Sequence, residues 1–220
     1  MNILSQNNKI IIHPDLMASI RINKFNKKII AINIDEISIL NNQYSHKINK
    51  PEIYFRENNK KQLLYSIKIK ELFYQPIFTE NNIITNIEIN GILANYKNVN
   101  MNNYYTWLSN EGGIDIENFK LNIDETFIKG NAFIGIDENE DIQSSISLEA
   151  NNLYDLFLIL SNKNLITKNT LKNSKFIIKA IEIASKASNK TPKFSINIQD
   201  RYLSLMGVKL FNVQDLKILK

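Results

Sequence analysis

Cysteine is missing from all 220 residues. Its absence removes disulfides, thiolate nucleophiles and cysteine metal sites, and leaves the redox compartment unread. Histidine is nearly as scarce. His13 and His46 stand far apart in polar or irregular contexts, and neither has a second His, Asp or Glu at a metal-type helical spacing. Neither belongs to a Ser-His-Asp or HExxH pattern, so both are expected to be surface histidines, and no metal or other cofactor is expected. Arginine is limited to Arg21, Arg56 and Arg201, none beside another. Bidentate arginine contacts carry much of phosphate and base recognition, so no specific nucleic-acid partner is expected. No apolar run approaches the ~20 residues that span a bilayer. The opening segment MNILSQNNKIIIHPDLM lacks a basic-then-apolar signal pattern. Taken literally, the chain is soluble and untargeted.

Glycine and proline are also few, at six and four, whereas Asn, Ile and Lys are over-used. Low-GC coding produces that skew without a structural cause, so Ile exaggerates strand propensity and Asn exaggerates loops. With 44% hydrophobic residues the chain can fold around one sizeable core or two small ones. Its net charge of +5 comes mostly from single lysines scattered among acids, the pattern of a solvated face rather than of a clustered basic patch.

The dominant signal has period two. In KKIIAINIDEISIL, Ile30, Ile32 and Ile34 alternate with Ala31, Asn33 and Asp35 before Ile37 and Ile39 flank Ser38. That is a half-buried strand whose phase slips at Asp35-Glu36, which predicts a bulge or short turn there. LLYSIKIKELFY sets Tyr65, Ile67 and Ile69 against Ser66, Lys68 and Lys70; NIITNIEINGILANY sets Ile83, Thr85, Ile87 and Ile89 against Ile84, Asn86, Glu88 and Asn90. Turn-like clusters at Asn41–Gln43, Glu57–Lys61 and Glu80–Asn82 separate them. Residues 1–100 therefore read as an antiparallel meander with one wetted face.

Around NVNMNNYYTWLSNEGG, cap-type asparagines precede Tyr104, Trp107 and Leu108 at helical spacing, and Gly112 stands where a helix C-terminus ends. A short helix is predicted near Tyr104–Asn110, within 101–111, with Trp107 as a core anchor. Strands return over 113–149. Two helices are then predicted within 152–188: Leu153, Leu156, Phe157 and Leu160 form one stripe, and Leu171, Ser174, Ile178 and Ile181 another beside Ile177 and Ala184. A hairpin at 193–211 closes the chain. Two helices joined by a short loop could cap an open sheet end. The expected fold is one α+β domain, mostly a curved antiparallel sheet with one short helix, a helical hairpin and a terminal β-hairpin.

The segment Gly112 to Ile142 offers three candidate chemistries. A phosphate loop would need glycines between a strand and a following helix; Gly112-Gly113 come in the reverse order, helix first. Asp137, Asn139 and Asp141 begin like a calcium loop, but Ile142 stands where the sharp turn demands Gly and Leu148 where a bidentate Glu belongs. A solvated acidic turn is expected. Asp115, Glu117 and Asp124 follow the apolar pattern too irregularly to define a site. No catalytic or cofactor-binding residue is assigned.

Three runs nevertheless form a recurring combination: GGIDIENFKL from Gly112, IKGNAFIGID through Gly130 and Gly135, and FSINIQDRYLSLMGVKL through Gly207. Together with the helix pair they resemble the C-terminal half of a bacterial envelope family catalogued as domain of unknown function 2125, found largely in alphaproteobacteria. Gly112, Gly113, Gly130, Gly135 and Gly207 are then structural turn and motif positions. The likeness covers roughly 104–213 and departs at Ala132, where the family has a second Gly, and near Arg201, where it has a turn Gly. It implies a non-enzymatic protein of the cell envelope, periplasmic or associated with the inner membrane. Family members carry an N-terminal anchor or signal, so this chain is expected to be a shortened member. The alternating Ile and Phe suggest an apolar face for a lipid or another envelope protein; oligomeric state is not read. The alternatives are a cryptic hydrolase using a pair of carboxylates and a nucleic-acid-binding sheet.

Overall fold

The computed structural model describes residues 2–5, 8–12, 15–41, 45–58, 62–74, 84–99, 104–123, 126–137, 141–162 and 166–213. Among the described residues, fifteen strands pair antiparallel in one open sheet, with three α-helices. The mostly antiparallel α+β class is that expected from the alternating pattern.

In chain order the N-terminal strands are β1 (Asn2–Ser5), β2 (Asn8–Ile12), β3 (Leu16–Ile22), β4 (Lys28–Ile34), β5 (Glu36–Asn41), β6 (Ser45–Asn49), β7 (Glu52–Glu57), β8 (Leu63–Tyr74) and β9 (Ile84–Ala94). The sheet forks at β8, whose first half pairs with β7 and whose last four residues pair with β6. One branch continues through β4 to β3, the other through β5 and β2 to β1. The fork follows from the phase slip at Asp35. There β4 ends and β5 begins, and the break is clamped from the connection between β6 and β7: Lys50 N–H donates to the Asp35 carbonyl at 2.7 Å and Ile34 N–H to that of Pro51 at 3.1 Å. The predicted turns lie largely outside the described residues, which omit 42–44, 59–61 and 75–83.

A second slip was not anticipated. Asn86 adopts a left-handed conformation, φ 54°, and the β9–β10 register shifts beside it. Asparagine tolerates that region better than most residues, so it can hold an extra residue in a strand. As a result Ile84 joins Ile87 and Ile89 on the apolar face and Thr85 leaves it, contrary to the simple alternation predicted for this stretch; Ile83 lies outside the described residues.

After a 3-10 turn at Tyr96–Asn98 come α1 (Tyr104–Ser109), β10 (Gly113–Ile123), β11 (Thr126–Ile136) and β12 (Ile142–Ala150). Then follow α2 (Leu153–Asn162), α3 (Lys168–Ala187), β13 (Lys193–Gln199), β14 (Tyr202–Leu205) and β15 (Val208–Asn212). The terminal segment is therefore three strands, divided by two-residue turns at Asp200-Arg201 and Met206-Gly207. All four turn residues have positive φ, as the favoured hairpin turns require.

The tightest packing lies between the helices and the last third of the sheet. Leu153 and Phe157 of α2 and Ile178 of α3 bury against Ile123, Ile128, Leu148, Ala150, Phe194 and Leu205. Thr167 caps α3, its Oγ1 accepting from Thr170 N–H at 3.1 Å. Of the predicted α3 stripe, Ser174 and Ile178 are buried, Leu171, Ile177 and Ile181 pack around them, and Ala184 is exposed.

Candidate functional site

Residues paired directly across antiparallel strands point to the same side of a sheet, so the register identifies each face without ambiguity. One row runs Ile20, Ile30, Phe55, Tyr65, Gly91, Ile116, Ala132, Ile146, Ile196, Leu205. The next runs Ala18, Ile32, Ile53, Ile67, Ile89, Phe119, Gly130, Leu148, Phe194. Hardly a polar side chain interrupts either row. A single apolar face thus crosses the sheet from β3 to β14.

The opposite face is mixed: one row runs Ile29, Arg56, Leu64, Ile92, Asp115, Phe133, Ser145, and another is charged throughout. Glu88, Lys120, Lys129, Glu149 and Lys193 stand side by side on five consecutive strands. Lys120 bonds Glu88 at 3.0 Å, and Glu149 is held between Lys129 at 2.9 Å and Lys193 at 3.0 Å. Those two ammonium groups hold the Glu149 carboxyl below its usual value of 4.5. Asn90 bonds Asn118 on the same side, and Asn49 bonds Glu71 at 2.8 Å, which lowers the Glu71 carboxyl. This face meets water.

The apolar face is covered unevenly. The helices lie over the strands from β10 onward, where Ile178 and Leu205 are fully buried. From β3 to β8 the side chains are shielded mainly by their neighbours: Ile30, Ile32, Ile53, Phe55, Ile67 and Ile69 are half-buried. Tyr65 is better covered because its ring lies over Gly91, where an added Cβ would come within 2.8 Å of the phenol oxygen. Burial, followed by the Asp115 and Glu117 charges, raises the Tyr65 phenol above its usual 10. At the outer strand Ile20 and Ile22 are 73% and 65% exposed.

One rim of the face is closed by polar contacts. The Tyr96 hydroxyl donates a very short bond to the Glu57 carboxylate, which also accepts from Lys28 N–H at 3.0 Å. The Lys28 amide and then Tyr96 lower the Glu57 carboxyl, while desolvation and then Glu57 push the Tyr96 phenol up to about 12. Tyr96 is therefore a neutral donor at neutral pH, suited to pinning the 3-10 turn onto β7.

The glycines of the sequence motifs take several roles. Gly112 N–H closes α1 on the Trp107 carbonyl at 3.0 Å, but the left-handed residue is Glu111, φ 60°. What Gly112 supplies is space: a Cβ would sit 2.3 Å from the Trp107 carbonyl oxygen. Trp107 is buried, and its indole N–H donates to Ala94 at 3.0 Å, pinning α1 to the end of β9. Gly113 opens β10 with ordinary room around it, Gly135 lies against the Phe133 ring, and Gly130 sits where a Cβ would meet the Ser147 carbonyl at 2.1 Å. Gly207 occupies its hairpin turn at φ 80°.

Among the described residues the candidate carboxylates do not converge. Asp115 and Glu117 are exposed, and Asp124 lies outside the described residues, as do His13, Asn139 and the side chain of His46. At the ends of the acidic run, Asp141 takes Arg201 Nε at 2.7 Å and Asp137 Oδ1 accepts from Asp141 N–H at 3.0 Å. Among the described residues no three His, Asp or Glu side chains gather as a metal site, and no helix is long and apolar enough to cross a membrane. A shallow depression of about 320 Å³ between β10 and β13 has Glu149 as its one carboxylate, already engaged by two lysines. No family model, curated protein or solved structure matches the chain.

Proposed function

We propose that this is a non-enzymatic, envelope-associated protein whose apolar sheet face holds the acyl chain of a lipid. The observation that carries the reading is the division of one sheet into a water-facing side laced with ion pairs and a continuous apolar side that the helices cover only in part. A sheet that leaves a wide apolar surface uncovered needs an occupant for it. Five strands from β3 through β4, β7 and β8 to β9, spaced ~4.8 Å, span about 19 Å, the length of an extended chain of about sixteen carbons. Each methylene taken from water would contribute ~0.8 kcal/mol, so the rows need no polar anchor to hold such a chain. On this reading α2 and α3 form a hairpin that closes the C-terminal end of the face. The resemblance of the glycine runs to the envelope family supports a periplasmic or inner-membrane setting.

Native lipid extraction and mass spectrometry of the purified protein test the proposal. Lipid is expected to co-purify, and Ile67→Glu, placed mid-row and away from the helical core, to lose most of it while remaining folded. Protein that carries no lipid and gains none from liposomes would overturn the reading.

A further inference from the structure

α3 has two unlike sides. Thr170, Ser174 and Ile178 are buried on one, facing the sheet and α2. At about 100° per residue, Lys168, Lys172, Lys175, Lys179 and Lys186 fall together on the other, and all five are exposed. Phe176 and Ile183 stand on the same stripe, 70% and 68% exposed. Glu182 borders it and is taken by Lys179 at 2.7 Å, while α2 flanks it with Asp155, whose charge acts on Lys179, and with the Tyr154 ring, 5.5 and 5.8 Å from Lys175 and Lys179. Five lysines against two carboxylates leave the stripe cationic along a helix of about 30 Å. A merely solvated face would account for the lysines but not for a phenylalanine and an isoleucine held out in water between them.

We propose that the outer face of α3 docks on an anionic phospholipid surface. The lysines meet headgroup phosphates through flexible stems, and Phe176 and Ile183 enter the boundary between headgroups and acyl chains. Charge complementarity sets the sign of the partner, and the two apolar side chains set its kind. A nucleic acid would favour guanidinium forks, of which the stripe has none, and offers nothing to an isoleucine. The docking face shares no residue with the sheet rows, so it holds whether or not those rows carry a lipid.

Sedimentation of the full chain with vesicles tests this. Binding is expected to phosphatidylcholine vesicles containing about 30% phosphatidylglycerol, not to phosphatidylcholine alone, and to weaken as salt shortens the screening length. Lys168→Glu, Lys172→Glu, Lys175→Glu and Lys186→Glu combined should weaken it more than about a hundredfold, at roughly fivefold for each charge removed. The corresponding four arginine substitutions should retain binding. Phe176→Ser with Ile183→Ser should lower affinity about tenfold or more and abolish the salt-resistant part. The same charge reversal at Lys24, Lys27, Lys50 and Lys68 should leave binding intact. Equal loss in that second set, equal binding to neutral vesicles, or binding to duplex DNA or single-stranded RNA without vesicle binding would each overturn the proposal. Circular dichroism and melting of every variant separate lost docking from lost fold.

Discussion

At the scale of single residues, two adjacent glycines of identical appearance in the sequence differ in what they do. Gly112 leaves no room for a methyl group beside the Trp107 carbonyl, whereas Gly113 has van der Waals space. Gly112→Ala should therefore destabilise by about 1–3 kcal/mol and Gly113→Ala by much less, measured by urea unfolding. Paired ionisable groups give a second residue-scale expectation. Glu57, Glu71 and Glu149 are held below the usual 4.5, so their contribution to stability is present above that value and lost as pH falls through their lower folded values. Tyr96 works in the opposite sense. Its phenol is raised to about 12, so its contribution is complete below the unfolded value near 10 and lost as pH rises toward 12. Melting temperatures should fall at both ends, and Tyr96→Phe should flatten the alkaline limb and, by freeing Glu57 of one hydrogen bond, also weaken the acid limb slightly. The alternation of isoleucines was legible, because apolar and polar residues at period two have one economical solution. The left-handed Asn86 was not, because Asn is so abundant in this chain that one more carries no signal, and the phase it shifts is visible only once β10 is paired alongside.

At the scale of elements, α3 shows what a linear reading misses. Counted along the chain, its lysines look scattered; projected around the helix, they gather on one stripe, and the spacing Lys168, Lys172, Lys175, Lys179, Lys186 is the signal that would have found it. The buried side was easier to foresee, since Ser174 and Ile178 stand in a plain helical repeat. Its start and its seat can be separated by mutation. Thr167→Ala removes the cap and should cost about 1 kcal/mol, while Ile178→Ala empties a fully buried site and should cost about 2–5 kcal/mol, both read from denaturant midpoints. The division of the terminal segment into three short strands was half legible. The break in alternation at Gln199-Asp200-Arg201 marks the first turn, where Arg201 at φ 65° also reaches Asp141, but the second, at Met206-Gly207, follows a strand of only four residues, too short for alternation to show that the chain turns again.

At the scale of the whole molecule, the sheet has a second layer over only part of its breadth, where α2 and α3 bury the strands from β10 onward. Stability should be distributed accordingly. Hydrogen exchange is expected to be slowest in β11 to β13 beneath the helices and fastest in β3, with a gradient between them, and a uniform protection pattern would contradict this partition.

β3 is also open along its length. Among the described residues it pairs with β4 alone, and apart from Arg21 it presents uncharged side chains, Leu16, Met17, Ile20 and Ile22 among them, where edge strands usually carry charges or proline to repel neighbours. Its unpaired amides and carbonyls form a template on which another extended segment can be laid, and because the two faces keep their sides across every antiparallel step, each strand so added would lengthen the apolar rows by ~4.8 Å. The reach of the apolar face is thus set at one edge, by whatever backbone comes to lie there.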